Sequence, residues 1–407
     1  MKRYSLILMV CTVSVCLYAQ LDFKYDNVDY KMMYPADLYN YLQTNPGTLL
    51  IDVRSAGEYA DTSQFGSLNI GRLKGSVNIN IDSMEFKLET IKAYKDKPIV
   101  LYCSHSQRSR RVGKLLHENG FTRVYNLNGG MSWMNQASNK EFPHKKDLIV
   151  SSLPYKSIPA DETIKLLKHR KDLIILDVRP KAEFMGKDSL ESNNLGRLKY
   201  AINIPRAFIK DSLAILQKYK DKDILVYDIN GAESNHVARY LSENGFKHVN
   251  NLLGGLYAII GKENKSLKTR KKIMENTPAY TLLNAKESID LILKNKDLVI
   301  LDTRSLEEFN NKSGMVWKNL GNLKNAINLP ANEFKEKLPG LIRGKKAKIL
   351  IYGSGEIPYN SCKLLREMGY DNVNLVIGGL WNFVSLPANV KGFEQYKYLM
   401  VNHEGFY

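Results

Sequence analysis

Ile99-Val100-Leu101-Tyr102-Cys103-Ser104-His105-Ser106-Gln107-Arg108-Ser109 joins a short apolar run, opened by Pro98, to a helical run that begins near Arg110. A strand passing through a short loop into a helix puts Cys103 at a strand end, facing a helix N-terminus. That position offers unpaired backbone N–H groups and the positive end of a helix dipole, both of which favour an anionic sulfur. Cys103 is therefore a candidate nucleophile. The rest of the chain carries the same unit three times, and only one copy has the cysteine.

Working outward, Asp52-Val53-Arg54, Asp177-Val178-Arg179 and Asp302-Thr303-Arg304 recur at a spacing of about 125 residues, far beyond the ~20–50 residues of solenoid repeats. Each follows an apolar run: Leu49 to Ile51, Ile174 to Leu176 and Val299 to Leu301. Each precedes a glutamate and an aromatic: Glu58-Tyr59, Glu183-Phe184 and Glu308-Phe309. Gly71-Arg72-Leu73-Lys74, Gly196-Arg197-Leu198-Lys199 and Gly321-Asn322-Leu323-Lys324 follow. Tyrosine-ended strands close at Tyr102, Tyr227 and Tyr352, and glycine pairs at Gly129-Gly130, Gly254-Gly255 and Gly378-Gly379 end the units. These are three duplicated domains.

Within a unit, Ala36 to Leu42, Ala160 to Leu167 and Ala285 to Leu293 have helical periodicity, as does Val112 to Glu118, and short β-branched runs alternate with them. Strands alternating with helices predict an α/β fold, each domain a mainly parallel sheet flanked by helices. Ligands bind at the carboxyl ends of strands in such sheets, where Cys103 lies. The expected division is residues 21–136, 158–261 and 279–386, with polar or lysine-rich linkers near 136–157 and 261–278. Residues 387–407 have no counterpart and read as a tail packed on the third domain.

The 407 residues suffice for three domains with their own cores. Met1-Lys2-Arg3 and the apolar run Tyr4 to Ala19 have the form of a secretory signal over residues 1–19, too short for a span of roughly 20 residues. An exported protein, periplasmic or secreted, with no integral membrane span after cleavage, is expected. Cys11 and Cys16 leave with the signal; Cys103 and Cys362 stay, so a disulfide between them stands beside a catalytic Cys103. The net charge of +17 includes a dense run at Lys268-Thr269-Arg270-Lys271-Lys272. It reads as a solvated linker or an attraction to anionic surfaces, and not as a nucleic-acid site.

The strand ending in Asp52-Val53-Arg54-Ser55, then Glu58-Tyr59, Val77-Asn78-Ile79, Tyr102-Cys103 with a loop closing on Arg108-Ser109, and Asn126-Leu127-Asn128-Gly129-Gly130 together resemble a rhodanese-like domain. The resemblance covers nearly all of the chain after residue 20, as three tandem copies. It implies a sulfurtransferase in which Cys103 takes sulfane sulfur from a small anionic donor such as thiosulfate, as a persulfide, and passes it to cyanide or a thiol. Loop amides from Ser104 to Ser109 would steady the sulfur anion, and Arg108 would hold the donor or brace the loop. The commoner family loop has glycine where this chain has Ser106. If the backbone is left-handed there, serine costs roughly 1 kcal/mol.

Asp228 stands at the cysteine position of the second copy, with Glu233 in place of the arginine; Gly353 stands there in the third. Neither can form a persulfide at that position, so both copies read as structural or recognition domains. Since Asp52 and Arg54 recur in them, these two and Glu58 read mainly as supports of the fold, with direct participation in catalysis as the alternative. His105 is a candidate to favour the sulfur anion or meet substrate, or is a plain solvent-facing residue. Cys362 aligns with Gly113 and Ala238 and reads as buried and inert. Neither a metal nor another cofactor is expected: no histidine cluster has ligand spacing and no phosphate-loop pattern occurs. A non-catalytic binding or scaffold protein is the second reading. Thiol redox chemistry is a third, without a Cys-x-x-Cys pair to support it.

Overall fold

The computed structural model describes residues 30–138, 141–169, 172–261, 267–315, 318–342, 344–389 and 394–402. The expected signal lies outside the described residues. Among those described, no helix is long and apolar enough to cross a membrane.

The first domain runs β1 (Lys31–Met33), α1 (Pro35–Thr44), β2 (Leu49–Asp52), α2 (Ala56–Tyr59), β3 (Arg72–Leu73), β4 (Val77–Asn78), β5 (Ile99–Tyr102), α3 (Gln107–Glu118), β6 (Val124–Leu127), α4 (Gly130–Gln136) and β7 (Ile149–Val150). Five strands form one wholly parallel sheet in the order β1-β6-β5-β2-β4. The other two domains repeat that order with the strands at Lys156, Ile174, Ile202, Asp223 and His248, and at Thr281, Val299, Ile327, Lys348 and Asn372. The expected α/β architecture in three copies is what the chain adopts.

Both faces of each sheet are covered, which is why its strands are continuously apolar. Along β5 successive side chains alternate between two cores. Val100 and Tyr102 join Leu38, Leu50 and Met131 on one side. Ile99, Leu101 and Cys103 join Val53, Val112 and Leu116 on the other. The strand's own period thus carries the cysteine onto the α3 side. Burying each such leucine or valine stabilises the domain by ~1.5–3 kcal/mol, so the loop is anchored in the core at its first residue.

Past α4 the stretches read as linkers and as a tail on the third domain each pair back onto a domain. β7 pairs antiparallel with β3, and Ser151 Oγ and Ser152 N continue the contact by donating to Asp61, each at 2.8 Å. Met274–Glu275 pairs the same way with Arg197–Leu198, and Met400–Val401 with Asn322–Leu323. The stretches that looked like linkers return to clasp their own domains, and the stretch that looked unmatched is the third clasp. Two-residue strands carry no periodicity, so nothing in the sequence marks them.

Consecutive domains meet head to tail. The turn Gly66–Leu68 sits against the helix Ser234–Glu243 of the second domain, where a Cβ on Gly66 would fall 2.0 Å from Asn235 Oδ1, so any larger residue would have to displace the Asn235 side chain. Gln136 Nε2 donates to the Leu253 carbonyl at 2.8 Å and Arg239 Nη2 to that of Asp61 at 2.9 Å. The equivalent turn Glu191–Asn193 docks on the third domain, with Ser192 N donating to Glu356 and Lys363 3.6 Å from Glu191.

Candidate active site

The loop begins where Tyr102 ends β5. The Tyr102 hydroxyl accepts from Leu73 N at 3.1 Å and shares a hydrogen with Ser76 Oγ at 2.7 Å, tying the strand end to β3 and the turn that follows it. Cys103 follows at 1% exposure, almost wholly covered, with Ser109 Oγ 3.6 Å from its sulfur. Its carbonyl accepts from Met131 N, and that of Ser104 from Ser132 N, each at 2.9 Å. These bonds seat the loop on the N-terminus of α4. They require Gly130, whose φ is +58° and whose Cβ would lie 2.4 Å from the Cys103 carbonyl oxygen. Gly255 and Gly379 meet the equivalent carbonyls of Asp228 and Gly353 just as closely, which is why each unit ends on a glycine pair.

Ser106 is left-handed, with φ +70°. Its hydroxyl donates to the Leu127 carbonyl at 2.9 Å, a bond glycine cannot make, which offsets part of the roughly 1 kcal/mol backbone cost. Gln107 opens α3, half-buried. Ser109 Oγ donates to Asn126 Oδ1 at 2.6 Å, so the serine nearest the sulfur is oriented by the next strand.

Arg108 braces the loop. Both of its terminal nitrogens reach Glu58 at 2.7 Å, and one also reaches Ser104 Oγ at 3.0 Å. Burial opposes its charge, but the Glu58 carboxylate and the nearby Cys103 sulfur hold the guanidinium above its ordinary value. Glu58 in turn closes a capping box with Ser55. Burial works against this carboxylate too, and the Arg108 guanidinium with the Ser55 amide outweighs it, so its pKa is lowered. A depressed carboxylate contributes stability above its unfolded pKa that is lost as pH falls through the folded value. The stability difference between the native chain and Glu58→Gln is therefore expected to be constant above about pH 4.5 and to shrink below it, as melting curves across pH would read.

His105 is solvent-facing at the loop's rim. Crowding by surrounding protein and, after it, the Arg108 guanidinium hold its imidazole below its usual value. Asp52 and Arg54 lie elsewhere: they form a fully buried pair at 2.7 Å, and Arg54 also donates to the Gly71 carbonyl at 2.7 Å. Their side chains bond each other and the segment before β3, and not the loop. Arg179 with Asp177 and Arg304 with Asp302 repeat the arrangement. Glu58 is different, because only its copy has an arginine on the loop to grip. Asn126 and Gly130, within the quoted Asn126-to-Gly130 motif, are the loop supports that the sequence reading left without a role.

The other two loops show what replaced the sulfur. Asp228, buried, accepts backbone N–H bonds from Gly231, from Glu233 at 2.6 Å and from Ser234 at 3.3 Å. A carboxylate thus fills an amide cradle whose donors correspond to Ser106, Arg108 and Ser109. Glu233 pairs outward with Arg206. In the third domain a Cβ on Gly353 would fall 2.1 Å from Thr303 Oγ1, so the threonine that replaces Val53 and Val178 occupies the side-chain space. Cys103 and Cys362 are both free thiols; Cys362 is fully buried, and burial, then Glu191, pushes its pKa well up.

The Rhodanese-like domain family model matches residues 34–137, 160–262 and 285–386. An uncharacterised protein, YqhL, of Bacillus subtilis is 37% identical over 81 residues, which are 20% of this chain and 56% of that protein. A tRNA uridine(34) hydroxylase of Photorhabdus laumondii is 29% identical over 100 residues, 24% of this chain and 26% of that one. The chain thus spans about half the length of the first and a quarter of the second. The crystal structure of a thiosulfate sulfurtransferase from Pseudomonas aeruginosa aligns over 85% of this chain and 66% of that one, at 18% identity and a TM-score of 0.23.

Proposed function

Since the chain belongs to the rhodanese-like domain family, three copies in tandem, we propose that it is an exported sulfurtransferase working through a persulfide on Cys103. The observation that carries this is the second loop. There the same three amide positions donate to a carboxylate; burial outweighs them and raises its pKa, but the bonds show that a loop of this length and course aims N–H donors at the cysteine position.

In the proposed cycle the Cys103 thiolate attacks the outer sulfur of thiosulfate. A sulfur–sulfur bond forms as the donor's sulfur–sulfur bond breaks, and sulfite leaves with the electron pair. Cyanide or a thiolate then attacks the terminal sulfur, giving thiocyanate or a new persulfide and restoring the Cys103 thiolate. Amides of the loop and the start of α3 steady the terminal sulfur anion. Glu58 acts as a positioning residue through Arg108. With both terminal nitrogens on Glu58, Arg108 braces more than it binds donor. Domains two and three, lacking the thiol, serve recognition or support.

Intact-mass measurement after incubation with thiosulfate tests this. One added sulfur, discharged by cyanide with formation of thiocyanate, is expected; no adduct across several donors leaves the non-catalytic scaffold reading in its place. The two silent loops are expected to respond differently to a restored thiol. Asp228→Cys enters an intact amide cradle and is expected to take up a second sulfur, slowly, because Glu233 stands where Arg108 would. Gly353→Cys meets Thr303 and is expected to take up none unless Thr303→Val accompanies it. Equal adduct mass in both single variants would show that the cradle is not what matters.

A further inference from the structure

Between the first two domains lies a cavity of about 320 Å³, near the small end of the ~300–1,000 Å³ usual for small-molecule sites. The first domain supplies Asn69, His105, Ser132 and Gln136 to its wall, and the second supplies Asn235 and Asn251. Asn235 and Asn251 are 4% and 2% exposed, and the Oδ1 of each is buried without a hydrogen-bond donor.

Comparison of the repeats explains one of these orphans. In the first domain Asn126, at the position of Asn251, takes the Ser109 hydroxyl at 2.6 Å. In the second, the matching Ser234 hydroxyl turns to the Asp228 carboxylate at 3.4 Å. The exchange of cysteine for aspartate has left the Asn251 carbonyl, on a residue that lines the junction, buried with no donor. Buried acceptors are nearly always satisfied, and a site with two of them calls for an occupant that brings N–H groups. The wall contains no Asp, Glu, Lys or Arg; His105 is its one titratable side chain. A charged occupant would find no counter-charge there.

We propose that this junction binds a small uncharged molecule with paired N–H donors, of the urea, thiourea or carboxamide class, donating to Asn235 and Asn251 beside His105 of the Cys103 loop. Asn carboxamides meet such an edge with matched acceptors, and the Ser132 and Ser157 hydroxyls line the same space. The site does not use the Cys103 sulfur, so it stands apart from the persulfide cycle.

The test is calorimetric titration of the full chain with thiourea, with guanidinium as its charged isostere. Saturable thiourea binding that exceeds guanidinium binding is expected, unchanged in Cys103→Ser. Asn251→Leu is expected to weaken it by about tenfold or more, while leaving the melting temperature of the unliganded protein no lower than native, since an unsatisfied acceptor has been removed. Ser157→Leu, at the strand position paired with Asn251, fills the space while leaving both asparagines in place and is expected to block binding as a second variant. Absence of binding, equal affinity for guanidinium, native affinity in both variants, or a crystal soaked in thiourea with water alone in the cavity would each overturn the proposal.

Discussion

Cys103→Ser is expected to abolish the sulfur adduct and to lower thiocyanate formation from thiosulfate and cyanide by roughly 10³-fold or more, because the covalent route is removed while binding remains. The exchange is nearly isosteric at a position that is 1% exposed, so the fold is expected to survive and the melting temperature to move little. The remaining described thiol, Cys362, cannot substitute. It is fully buried in another domain, and burial strongly favours its protonated form. Measured together, adduct mass, steady-state rate and melting temperature separate loss of the nucleophile from loss of structure. A variant that keeps its adduct would place the chemistry elsewhere and end the case for this loop.

Arg54→Leu is expected to be the most damaging change to stability. The arginine is fully buried, pairs with Asp52 at 2.7 Å, and reaches the carbonyls of Gly71 and Leu68. Its removal strands a carboxylate in the interior and frees the segment before β3, at a cost of ~3–5 kcal/mol. Removing both charges in Asp52→Leu with Arg54→Leu is expected to recover part of that loss, as replacement of buried pairs commonly does. Because a three-domain chain need not unfold in one step, native-state hydrogen exchange resolved by domain is the measurement of choice. A loss confined to the first domain is expected; a loss under ~1 kcal/mol would mean that water or a neighbour replaces the pair.

Elements with a strong repeating signal were legible before any coordinates. The three Asp-x-Arg strands, the tyrosine-ended strands and the helices that follow lie where periodicity and repetition place them, because burial on both sheet faces imposes unbroken apolar runs. Cys103 at a strand end was legible for the same reason. The Glu58–Arg108 clamp was not, since it joins residues 50 positions apart and only packing brings them together. Ser106 could be suspected of a left-handed backbone because the commoner family loop has glycine there, but its bond to Leu127 could not. Thr303 differs by one atom type from its counterparts, and that difference gains meaning only when Gly353 is seen beneath it.

The clasp formed by β7 on β3 changes what counts as one unit of inheritance. A gene fragment that stops at Gln136, where the recognisable motifs end, would encode a domain whose β3 lacks its antiparallel mate and whose Asp61 loses the two donors from Ser151 and Ser152. The segment that keeps these contacts runs on to Ser152, and its counterparts run past Glu275 and Val401. Crossovers that shuffle such domains intact must then fall in the few residues after each clasp, such as those between Ser152 and Lys156, and not in the longer polar stretches that precede it.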